Sequence, residues 1–96
     1  MLIETTTFKL IAGADEAAFL DADRRVQAEV AANHPGFLRR TTARGPDGEW
    51  LVVVLWRSAD DADASSRAGA DHQAMKQFAA LVDPVTVQSA RYTTLD

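Results

Sequence analysis

The side chains with the greatest capacity for chemistry in this chain are one histidine, two tryptophans and a set of arginines. His72 stands three residues before Met75, so the two share a face if the segment is helical. The positive end of a helix dipole disfavours imidazolium, and a neutral imidazole can serve as general acid–base or hydrogen-bond partner. A structurally bonded, partly buried histidine is the plainer reading. Trp50 and Trp56 have the same parity in an apolar run, so on a strand they share one face. They could wall a site for a flat ligand, or serve core or dimer packing. Trp56 is the better ligand neighbour, because it ends its run beside a small-sided segment. Arg39, Arg40 and Arg91 could hold a carboxylate, phenolate or phosphate, or pair with acids at a rim. Tyr92 could donate to a ligand or cap the packing. His72 is thus the catalytic candidate; Trp56, Arg91, Tyr92 and Arg39 are the substrate-binding candidates.

Other chemistries lack their residues. The chain has two histidines and no cysteine, which excludes disulfides and thiolate chemistry. His34 precedes a proline and reads as a loop residue. Neither histidine has a partner at a ligating spacing such as i, i+4, so no metal site is expected. There is no phosphate-binding glycine loop and no Gly-x-Ser-x-Gly elbow. A formal net charge of -4 argues against nucleic acid as a partner. The longest apolar run, Trp50 to Trp56, is too short to span a membrane. Met1-Leu2-Ile3-Glu4 lacks the basic and apolar regions of a signal peptide. The expectation is a cytoplasmic protein.

The elements that must position these residues are readable from periodicity. Residues 2–11, with Thr5-Thr6-Thr7 and apolar Leu2, Ile3, Phe8, Leu10 and Ile11, predict a strand. Gly13 ends it, and Asp15 can cap a helix. Phe19, Ala22, Val26 and Val30 recur at helical spacing, with Asp21, Asp23, Arg24, Arg25, Gln27 and Glu29 assigned to the other face. Asn33-His34-Pro35-Gly36 stops that helix. Phe37 to Arg44 and Trp50 to Trp56 form a hairpin around the Gly45-Pro46-Asp47-Gly48 turn. Ser58-Ala59-Asp60-Asp61 resembles a capping box and opens a helix of small residues, Ala62, Ala64, Ser65, Ser66 and Ala68, whose lost volume could be a pocket. Gly69 breaks it. Asp71 can cap a further helix with the stripe His72, Met75, Phe78, Ala79 and Val82. After Asp83-Pro84, residues 85–94 predict a last strand.

Ninety-six residues in the order βαββαβ make one domain, residues 1–96, of the α+β class: a ferredoxin-like, four-stranded antiparallel sheet with the first and third strands central. The second strand, with Arg39, Arg40 and Arg44, suits an edge. The third is apolar on both faces, Trp50, Val52, Val54 and Trp56 against Leu51, Val53 and Leu55. One helical layer covers only one face, so the other predicts a partner sheet and a homodimer.

At this level the chain resembles the dimeric α/β-barrel superfamily and, within it, the antibiotic-biosynthesis monooxygenase-like domains. The resemblance spans nearly the whole chain. It rests on Pro35-Gly36-Phe37-Leu38 entering the second strand, on Glu49-Trp50-Leu51-Val52-Val53-Val54-Leu55-Trp56 followed by Arg57-Ser58, and on His72 opening a later helix. It implies pairing sheet against sheet and a ligand between sheet and helices. It also implies cofactor-independent oxygenation of flat aromatic or quinone-like molecules, or a non-catalytic binding or structural role. The haem-degrading members carry an asparagine on the first strand and a tryptophan in the helix after the third. Here those places hold Thr5 to Thr7 and Ala64-Ser65, so haem degradation is not expected.

Overall fold

The computed structural model describes residues 1–95. Strand β1 (Leu2–Lys9) leads to helix α1 (Glu16–Glu29). The hairpin β2 (Phe37–Arg44) and β3 (Glu49–Trp56) follows, then helices α2 (Ala59–Gly69) and α3 (Gln73–Leu81), and strand β4 (Gln88–Thr93). The sheet order is β2-β3-β1-β4, antiparallel throughout, with β1 and β3 central as expected of two βαβ units in one sheet. Helices α1 and α3 pack against each other over one face. Among the described residues no helix is long and apolar enough to cross a membrane.

Several elements begin and end differently from their sequence pattern. β1 stops at Lys9, and Leu10 makes only an isolated bridge to Val82. Asp15 caps α1 as expected, accepting from the Ala17 N–H at 3.1 Å. The helix ends at Glu29, and residues Ala31–Asn33 form a 3-10 turn before Pro35. Ser58 caps α2, accepting from the Asp61 N–H at 3.1 Å while its hydroxyl reaches the Asp61 carboxylate at 2.9 Å. Asp71 does not cap α3. His72 does, its Nδ1 accepting from the Ala74 N–H at 3.0 Å, so His72 precedes the helix rather than sharing its inward stripe. The last strand starts at Gln88, not at residue 85. Pro84 sets up a 3-10 turn that Asp83 caps through the Val85 N–H at 3.2 Å.

The sheet register sorts side chains into rows on the face under the helices. Arg44, Trp50 and Phe8 form one row. Thr42, Val52, Thr6 and Ser89 form the next; Arg40, Val54, Glu4 and Arg91 the third; Phe37, Trp56, Leu2 and Thr93 the last. At the Trp50 end, Phe8, Phe19, Trp50 and Phe78 make an aromatic cluster with centroid separations of 4.8 to 5.8 Å. Phe19 is completely buried there. The opposite face of the sheet carries Ile3, Leu51, Val53 and Leu55, flanked by Arg39 and Tyr92.

The rows depend on an irregularity that periodicity does not reveal. Phe37 pairs with Trp56, yet Arg39 pairs with Leu55, so Leu38 is an extra residue in β2. Such a bulge shifts the alternation by one. Strict alternation from Phe37 would turn Arg39 towards the helices and Arg40 away. The bulge reverses this: Arg40 enters the core face at 8% exposure, and Arg39 faces outward. β2 is an edge strand, as expected, but its arginines are not all edge charges.

Candidate functional site

Between the aromatic cluster and Trp56 the helices stand off the sheet and leave a cavity of about 480 Å³. Its floor is the two middle rows, Val52, Val54, Thr6, Glu4 and Arg40, bounded by Phe8 and Trp56. Val26 of α1 and Val30 just past its end, Ser65, Ser66 and Gly69 of α2, and Met75, Phe78 and Ala79 of α3 form the roof. The small residues of α2 do leave volume. Gly69 is tied to its size by another neighbour: a β-carbon there would lie 2.6 Å from Val30 Cγ1. A cavity of this size, apolar with a few polar groups, matches a small-molecule site.

The polar groups come from two ion-pair systems. On the β2 side, Arg40 Nη2 donates to Asp23 Oδ1 at 2.8 Å, and Thr42 Oγ1 donates to the same oxygen at 2.9 Å. The side chains are 4% and 12% exposed, so each charge needs the other. Asp23 therefore lies on the buried face of α1, not on its polar face. On the β1 side, Arg91 Nε donates to Glu4 Oε2 at 2.9 Å, and Arg91 Nη2 bridges to Asp63 of α2 at 2.8 Å. The carboxylates of Asp63 and Glu4 together raise the affinity of Arg91 for its proton. At the far end Trp56 is 4% exposed and its buried indole N–H has no hydrogen-bond partner among the described residues. An unmet buried donor is costly, and this one is shielded even from water.

The residues singled out by sequence are dispersed. Trp56 lines the cavity. Trp50 lies in the aromatic cluster, with the Arg44 guanidinium 4.7 Å above its ring. Arg91 is on the cavity face of β4, but its guanidinium is committed to Glu4 and Asp63. Arg39 and Tyr92 lie on the opposite face of the sheet and do not reach this cavity. His72 lines a separate, smaller pocket of about 180 Å³ with His34, Glu29 and Asn33. Val30, Ser65 and Gly69 wall both spaces. His34 is not a free loop residue: its Nδ1 accepts from the Gly36 N–H at 3.3 Å, and its ring meets Trp56 edge-on at 5.8 Å. Both imidazoles thus spend the Nδ1 lone pair on backbone and present Nε2–H as a donor. Among the described residues no cluster of His, Asp or Glu is arranged as a metal site.

Three polar residues lie where the pattern does not put them: Glu4 and Arg40 line the cavity and Asp23 pairs with Arg40, although Arg40 is among the arginines weighed as anion holders. Two carried a signal. Asp23 is four residues after Phe19 and three before Val26, the spacing of a core position. Glu4 shares the parity of Leu2 and Phe8. Arg40 carried none, because the bulge at Leu38 decides its direction.

Residues 1–80 match the family model of the antibiotic biosynthesis monooxygenases. No curated protein sequence matches the chain. Among solved structures, SnoaB, a cofactor-independent oxygenase from Streptomyces nogalater, superposes with a TM-score of 0.82 at 20% identity, over 99% of this chain and 93% of that one. Rv0793 of Mycobacterium tuberculosis gives 0.74 at 17% identity, over 99% and 95%. PA3566 of Pseudomonas aeruginosa gives 0.70 at 16%, over 99% and 94%. At these identities the likeness concerns the fold.

Proposed function

The chain belongs to the antibiotic biosynthesis monooxygenase family, and from that premise we propose that it is a cofactor-independent, monooxygenase-like enzyme acting on a flat aromatic or quinone-like molecule. The observation that carries this is the cavity of about 480 Å³ between sheet and helices, apolar over most of its wall, with paired polar groups on its floor and the Trp56 side chain at its end. The structural likeness to SnoaB, itself a cofactor-independent oxygenase, supports the same class. The chemistry balances without a bound reductant. A ring CH2 flanked by aromatic carbonyl systems reacts with O2 to give C=O and water, and all the electrons come from the substrate.

Within this reading Trp56 is the wall against which the flat face stacks. His72 lines the adjacent pocket, so a role for its imidazole requires a ligand or a bridging water that spans the wall of Ser65 and Gly69. Arg91 holds Glu4 in place. Tyr92 and Arg39 belong instead to the outer sheet face, where Ile3, Leu51, Val53 and Leu55 support pairing with a second copy of the chain.

Oxygen uptake and product mass, measured on a panel of hydroquinones and anthrones, test the proposal. We expect turnover above buffer, abolished when Ala79→Phe fills the cavity. Turnover equal to buffer across the panel would overturn it. The Nδ1 cap of His72 favours a second reading, a non-catalytic binding protein, since that imidazole already has a structural task. Ligand retained unchanged in native mass spectrometry would support that alternative.

A further inference from the structure

We propose that the cavity selects a hydroxy-ketone: a flat fused-ring molecule with a carbonyl at one end, held by Arg40, and an O–H at the other, held by Glu4. The inference rests on the cavity being a site for flat aromatic molecules, and adds which functional groups it recognises.

Arg40 lies opposite Val54, and Val54 opposite Glu4, in one row across β2, β3 and β1. All three line the cavity. Two strand spacings separate the outer members, about 10 Å at the backbone, comparable with the length of a small fused-ring system. The apolar Val54 lies between them. Recognition therefore occurs at two ends with a greasy floor in the middle.

The two ends differ in kind. A guanidinium has five N–H donors and no acceptor. Arg40 gives one to Asp23 and one, at 3.4 Å, to Thr42. The others remain for a ligand oxygen. Glu4 is the reverse, because an ionised carboxylate only accepts. Its Oε2 is taken by Arg91, and Oε1 makes no hydrogen bond among the described residues. One end donates and the other accepts. A carbonyl conjugated to a distant phenol answers both, and each hydrogen bond polarises the other through the ring.

Charge narrows the class further. Arg40 and Arg91 face the three carboxylates of Asp23, Glu4 and Asp63. The surroundings are therefore net acidic, and an anionic ligand is disfavoured relative to a neutral one. This separates the proposal from a carboxylate or phosphate site built on Arg40 alone.

Calorimetric titration with three bicyclic probes tests it: 6-hydroxy-1-tetralone, which has both groups, 1-tetralone, which lacks the hydroxyl, and 5,6,7,8-tetrahydro-2-naphthol, which lacks the carbonyl. The hydroxy-ketone should bind about tenfold more tightly than either comparator, as expected of a hydrogen bond to a charged group. In Glu4→Leu it should fall to the level of 1-tetralone, with 1-tetralone itself unchanged. Arg40→Met is combined with Asp23→Ala so that no buried charge is left alone. That double variant should weaken both ketones about tenfold and leave the naphthol unchanged. Near-ultraviolet circular dichroism establishes that each variant is folded. Equal affinity for the three probes, or a variant that weakens all three alike, overturns this inference while leaving the cavity a binding site. No binding by any probe overturns both.

Discussion

Arg40 and Asp23 are the pair on which the site side of the fold depends most. Both are buried, and the Thr42 hydroxyl donates to the same carboxylate. Removing one partner leaves a charge without compensation, which typically costs about 3–5 kcal/mol. Removing both can be nearly neutral. Arg40→Met should therefore lower the urea midpoint strongly, and Asp23→Ala/Arg40→Met should recover most of the loss. A double variant as unstable as the single one would show that Arg40 is needed for its packing over Phe78, 5.9 Å away, and not for its charge. The exposed pair Glu16–Arg44 behaves differently. The hydrogen bond from Arg44 holds the Glu16 carboxyl below the ordinary carboxylate range. Because the folded value is depressed, the pair's contribution is present at neutral pH and lost as pH falls through the lowered value. Carboxyl NMR titration should show the Glu16 midpoint rising towards the ordinary range in Arg44→Gln. An unmoved midpoint would mean that the pair does not persist in solution.

At the scale of elements, His72 decides whether α3 begins where it does. Its Nδ1 satisfies one of the free N–H groups of the first turn, and loss of such a cap costs about 1 kcal/mol. His72→Ala should lower stability by that amount, whereas His72→Ser keeps an acceptor and should recover it. Activity separates the two roles: if His72→Ser is stable but inactive, the imidazole takes part in the reaction; if it is stable and active, the residue is a cap alone. This control matters because an alanine variant confounds helix loss with chemistry. The same scale explains what could be read in the sequence. The elements, the Asp15 and Ser58 caps, the hairpin and the central places of β1 and β3 all follow from periodicity and end signals, because those are local. The direction of Arg39 and Arg40 does not, because the extra residue at Leu38 is defined only against β3. The hydrophobic pattern hid Asp23 for a related reason. Its burial is tolerated only because a strand far away in sequence supplies Arg40. The floor of the cavity was legible as Val52, Val54 and Trp56; its polar ends were not.

Taken as a whole molecule, the chain keeps its helices on one side of the sheet. Ile3, Leu51, Val53 and Leu55 on the other side are only partly covered within one chain, and Tyr92 beside them is 57% exposed. Apolar surface of this kind is characteristic of an interface, and the proposed homodimer would bury it sheet against sheet. Val53 is the most sensitive point. It lies in β3 between Thr5 of β1 and Thr41 of β2, so a charge there has no partner on either side. Val53→Arg should halve the mass seen by sedimentation equilibrium. The wild-type Tm should rise with protein concentration, as mass action requires of an associating protein, and that of the variant should not. A wild-type chain that sediments as a monomer at all concentrations would remove the dimer. The cavity lies under the helices of a single chain, with Arg40, Glu4 and Trp56 all supplied in cis. The monomeric variant should therefore still bind the hydroxy-ketone probe with affinity close to wild type. If affinity collapses with the dimer, pairing of the sheets controls the floor of the cavity, and Val54 is the route: its neighbours in β3, Val53 and Leu55, stand on the paired face.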